Sequence, residues 1–207
     1  MARTVRRTSV LGAVVVATAL ALAGCSTPPW LEPGASSSAE PDPSASASAT
    51  ATEAPQPTPN DLSTGATARS LTAGPLGISL NYWSSLAMDK WTPGVLKPVS
   101  LSLISSITPN DGQKVYLQRA TMTATPGSAT ETFDPLTAQV DAATTSPGYL
   151  VLDPYSYSQT FTVGPTPEGA TFVTLEFSYE FLVQTTPTST DYAKQTATDT
   201  LTVAVTP

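Results

Sequence analysis

The chain carries one thiol and no imidazole: Cys25 is the single cysteine, and histidine is absent from all 207 residues. Without histidine, Ser-His-Asp and Cys-His nucleophilic machinery cannot be assembled. The usual general base near neutral pH and the commonest zinc ligand are missing too. Chemistry run on carboxylates alone stays open. Glu176 and Glu180 would share one face of a strand, four residues apart, which at about 3.3 Å per residue is about 13 Å. That is wider than a retaining or an inverting glycosidase pair, so the two are expected to form a solvated face. Asp134, Asp141, Asp153, Asp191 and Asp199 fall at turns or strand ends where carboxylates can gather on calcium, yet no Asp-x-Asp spacing joins them. The expectation is therefore no catalytic residue, no metal site and no cofactor.

The remaining candidates are aromatic. Trp83 and Trp91 flank a strand end and the loop after it, and Tyr155 lies in the turn Asp153-Pro154-Tyr155-Ser156-Tyr157. Exposed rings on a rigid scaffold offer large contact area at low entropic cost, which suits a sugar-binding or partner-binding surface. The competing place for each tryptophan is the core of the domain.

The residues before Cys25 read as an address. Arg3, Arg6 and Arg7 give a basic start, the uncharged apolar run 10–23 follows, and Leu22-Ala23-Gly24 leads into the cysteine. As a helix the run spans about 21 Å at 1.5 Å per residue, short of the roughly 30 Å of a bilayer core. It fits the core of a signal peptide. Leu22-Ala23-Gly24-Cys25 resembles the lipobox of bacterial lipoproteins. That resemblance implies diacylglyceryl transfer to the Cys25 thiol, cleavage before Cys25, and anchoring in the cell membrane on its extracytoplasmic face. Arg6-Arg7 also resembles a twin-arginine export signal, with Ser9 standing where that family prefers Phe or Leu. Two or three acyl chains would hold stably where one is marginal. With its thiol acylated, the mature chain would have no disulfide, and its stability would rest on a packed core.

Composition narrows the partners. From Cys25 onward the 16 acidic residues meet the 9 basic ones less Arg3, Arg6 and Arg7, so the net charge is near −10. Lys90, Lys97, Lys114, Arg119 and Lys194 are scattered along the chain, so nucleic acid is not expected as a partner. Acidity also disfavours electrostatic attachment to anionic head groups, which leaves a lipid on Cys25 as the membrane contact.

Three segments follow: a signal peptide at 1–24, a lipid-anchored Ser/Ala/Thr/Pro linker at 25–70, and a folded domain at 71–207. The linker has almost no large apolar residue and is expected to be disordered. As a flexible coil it would span about 37 Å. Its Ser/Thr with Pro composition resembles O-glycosylated stalks.

Beyond Leu71 the apolar period becomes two. Leu76, Ile78, Leu80 and Tyr82 share a face, as do Val99, Leu101 and Leu103. Pro109-Asn110-Asp111-Gly112 reads as a hairpin-type turn into a strand from Val115 to Ala124, ended by Pro126-Gly127. Further strands are expected at 149–152, through Tyr157, Gln159, Phe161 and Val163, and along Val173, Leu175, Phe177, Tyr179, Phe181 and Val183. The last strand, Leu201, Val203 and Val205, is expected to pair antiparallel with the one before it. Seven or so strands without a competing helical period predict an all-β, immunoglobulin-like Greek-key β-sandwich.

The function expected on these grounds is that of a lipid-anchored cell-surface protein with a non-catalytic binding or structural module, meeting an envelope protein or cell-wall polymer. The alternatives are a carbohydrate or peptidoglycan reader using Trp83, Trp91 and Tyr155, and a carboxylate-dependent hydrolase accessory domain.

Overall fold

In a computed structural model that describes residues 57–206, the period-two pattern becomes nine strands. They are β1 (Ala66–Ala73), β2 (Leu76–Trp83), β3 (Lys97–Ile107), β4 (Val115–Gly127), β5 (Gln139–Ala142), β6 (Tyr149–Leu150), β7 (Tyr157–Val163), β8 (Phe172–Gln184) and β9 (Tyr192–Ala204). The helical content of the described residues is one 3-10 turn, Met88–Lys90. The expected signal peptide, Cys25 and the expected linker up to residue 56 lie outside the described residues.

The strands form two antiparallel sheets. One has the order β1-β2-β3-β7, and the other has the order β5-β4-β8-β9 with β6 also on β4. Their inner faces supply one continuous core. Leu76, Ile78, Leu80 and Tyr82 of β2 and Val99, Leu101 and Leu103 of β3 face Val173 to Phe181 of β8, all at most 2 % exposed. Burial of alternate side chains from both sheets is what turns the period-two sequence into a sandwich. In β4 the inward positions shift from Val115 and Leu117 to Ala120, Met122 and Ala124. A register shift between Leu117 and Arg119 absorbs the extra residue, so both halves keep their apolar face on the core.

Several sequence expectations change. The folded region begins before Leu71: β1 opens at Ala66, and Leu62 is fully buried. Only Leu71 and Ala73 give β1 apolar weight, because it is a half-exposed edge strand held by its ladder to β2. The stretch 109–112 is not a hairpin. It carries the chain from β3 in one sheet to β4 in the other, with Gly112 at φ +96. β4 continues through Pro126 and Gly127, whose partners are Val173 and Phe172. β9 starts at Tyr192 rather than near Leu201, and it pairs antiparallel with β8 along its full length as expected.

Side-chain amides and hydroxyls close the flank where β5 and β7 approach. The Gln139 amide donates to the Thr162 carbonyl, and Gln139 Oε1 accepts the Thr162 N–H at 3.0 Å. Tyr157 donates to Asp141 at 2.7 Å. At the end of the same flank, Val151 links both sheets: its carbonyl accepts from Ser105 N–H at 2.8 Å, and its N–H donates to Val115 at 3.0 Å.

Candidate binding surfaces

The three aromatic candidates do not form one surface. Trp91 is fully buried, a correction to its expected place in a sugar-reading face. Its indole N–H donates to Ser84 Oγ at 3.3 Å, and its carbonyl accepts the Thr206 N–H at 2.8 Å, so the ring plugs one end of the sandwich beneath the C-terminal segment. The physical reason is local. The 3-10 turn Met88–Lys90 folds the loop after β2 back over the core, and the largest apolar ring nearby gains most by burial.

Trp83 ends β2 opposite Ser100 and is half-buried. Tyr155 is 57 % exposed. It follows the Ser105–Leu152 bridge, five residues along β3 from Ser100, so about 17 Å of strand separates it from Trp83. The tryptophan pair and Tyr155 thus belong to different regions.

Tyr155 stands in a better-formed setting than sequence reasoning found. With Gly112, Lys114, Leu150, Leu152 and Asp153 it lines a cleft of about 260 Å³. A second cleft of about 250 Å³ shares Gln113 with this neighbourhood and includes Pro75, Ile107, Pro109 and Val183. Both sit where β3 crosses to β4 and β8 turns into β9. Apolar walls with a few polar groups suit the capture of a side chain. Sequence pattern could not assemble them, because their walls come from four separate loops.

Glu176 and Glu180 stand on the outer face of the β8 sheet. Glu180 meets Lys194 Nζ at 2.7 Å, and that hydrogen bond holds its carboxyl below the usual range. Glu176 lies in a shallow concavity of about 390 Å³ with Thr121, Thr123, Ser178, Thr198 and Thr200. The aspartates are dispersed. Asp141 accepts from Tyr157, Asp134, Asp153 and Asp191 are exposed, and Asp199 points inward. Among the described residues no three acidic side chains converge as a metal site would require.

Two buried polar features escaped the sequence reading. Tyr82 and Tyr179 join hydroxyls at 3.0 Å across the sheets, with Asp199 beside them. Asp199 lies in phase with Ala197, Leu201 and Val203, and that phase is the signal that could have placed it inside. Lys97 is fully buried and donates to the carbonyls of Val95 at 2.8 Å, Pro93 at 3.3 Å and Gly164 at 3.5 Å. Burial lowers its ammonium pKa. The three carbonyls come from the loops before β3 and after β7, so Lys97 ties these loops together.

No protein-family model matches the chain, and no curated protein matches it.

Proposed function

We propose that this chain is a lipid-anchored, extracytoplasmic binding module: cut before Cys25, acylated there, and carrying an immunoglobulin-like sandwich on a flexible linker. The strand order supports the immunoglobulin-like reading. β1-β2-β3-β7 and β5-β4-β8-β9 place sequence neighbours β3 and β4, and β7 and β8, in opposite sheets, as Greek-key connections do. The module is non-catalytic and meets an envelope protein through the Tyr155 end.

One observation carries this reading. Residues 57–65 enter the sandwich beside Thr202, near the C-terminal end of β9, whereas Tyr155 and its cleft lie near the start of that strand. The stretch of β9 from Tyr192 to Thr202 puts about 33 Å between the two. A tether pulling at one end leaves the other free to engage a partner.

The test has two arms. A labelled fatty acid analogue should enter the wild-type chain and not Cys25→Ser; an unlabelled wild type removes the anchor. A photo-cross-linking side chain at position 155, in intact cells, should capture a discrete protein that the same group at Glu176 does not. Equal capture at both positions, or none at 155, removes the binding role.

A further inference from the structure

The flank of the sandwich opposite β5 and β7 exposes two sheet edges, β1 and β9, which run alongside one another. An unpaired strand edge is a template for another strand unless something blunts it. Here the blunting is done by aspartates. Asp61 donates its backbone N–H to the Thr202 carbonyl at 2.8 Å, and its Oδ2 accepts the Thr202 N–H at 2.7 Å. Its other oxygen meets Arg69 Nη2 of β1 at 2.7 Å, so one side chain bridges the two edges. Leu62, next in the chain and fully buried, pins this clasp to the core.

The Thr202 contacts also reveal the direction of the edge groups. In an antiparallel ladder, alternate residues turn N–H and C=O toward the partner strand and away from it. Thr202 turns both away from β8, so Thr200, Thr198 and Thr196 do the same. The Thr200 N–H is taken by Asp199 Oδ1 at 2.9 Å, while Asp199 Oδ2 is buried without a hydrogen-bond partner among the described residues. Asp199 therefore caps the edge with one oxygen and turns the other inward beneath it. Below this point Thr198 and Thr196 keep an open edge among the described residues.

We infer that Asp61 and Asp199 act together as a guard that keeps β9 from pairing with β9 of a second copy of this chain. A second copy is the occupant because a two-fold axis across β9 sets it antiparallel to itself, the arrangement its sheet already uses. The two β9 sheets would join into one continuous sheet. The inference does not depend on the anchoring proposed above, since it concerns the folded domain alone.

The experiment compares the full chain with its Asp61→Ala/Asp199→Val variant, both carrying Cys25→Ser so that acyl groups do not bring copies together, in detergent. The variant should self-associate at least tenfold more tightly, with the Thr196 and Thr198 amides newly protected from hydrogen exchange. Adding Thr196→Pro should restore the monomer, since that N–H faces the free edge and not β8. A variant that keeps native near-ultraviolet dichroism yet stays monomeric overturns the inference, as does association that leaves those amides open or survives Thr196→Pro. Should the variant fail to fold, Asp61→Ala/Asp199→Ala removes the same two side-chain caps without adding bulk and is held to the same outcomes.

Discussion

The hydroxyls of Tyr82 and Tyr179 meet at 3.0 Å, 97 residues apart in sequence and on facing sheets. Tyr82 sits 5.0 Å from Phe177, centroid to centroid, and Phe177 stacks on Tyr179 at 6.2 Å. The pair is a polar contact inside an aromatic layer, with the Asp199 carboxylate beside it.

Removing one member leaves the other hydroxyl buried without its partner. Tyr179→Phe should cost about 1–2 kcal/mol, whereas replacing both tyrosines should cost less than the sum of the single changes. Urea unfolding of the four proteins in this cycle measures the difference. Strict additivity would mean that the hydrogen bond contributes nothing.

Stability should fall at alkaline pH. Burial, first among the causes, pushes the phenols of Tyr82, Tyr157 and Tyr179 well above their usual range, and the hydrogen bond to Asp141 adds to it for Tyr157. The folded-state values are raised, so the stabilisation is fully present below the unfolded value of about 10 and is lost above it, as the unfolded chain gives up protons that the native state keeps. Each such phenol can remove up to about 1.4 kcal/mol per pH unit in that window. Phenolate absorbance and dichroism followed together should show these groups ionising only as the fold is lost. Ionisation of all three with native dichroism intact contradicts the prediction.

Trp91 should behave as a core residue. Trp91→Ala is expected to cost about 3–5 kcal/mol, through lost burial and the cavity left behind. A soluble quencher should reach Trp83 and not Trp91 when each is retained alone. An unchanged denaturation midpoint for Trp91→Ala would return the ring to the surface.

Legibility of the fold followed burial. β8 was plain in the sequence because Val173 to Val183 supply six inward apolar residues against polar neighbours, and β2 and the inner face of β3 were plain for the same reason. The first five residues of β1, 66–70, resemble linker in composition, since an edge strand of Ala, Thr, Ser and Arg is held by backbone pairing that composition does not record. The turn at 109–112 looked like a hairpin because Pro, Asn, Asp and Gly serve any sharp reversal, whichever sheet the next strand joins. The candidate site was less legible. Tyr155 stays at the surface, Trp91 does not, and the residues around Tyr155 come together only when the segment before β4 meets the one that follows β6.

Residue type and a period of two were enough to set the all-β class and the faces that turn inward, and the absence of histidine withholds imidazole chemistry from the chain. Tertiary structure decided which sheet each strand joined, which aromatic rings were covered, and that Asp61 and Asp199 would guard a shared flank. Those outcomes depend on contacts between distant residues, such as Asp61 with Thr202 and Tyr82 with Tyr179, which exist only once the two sheets have packed.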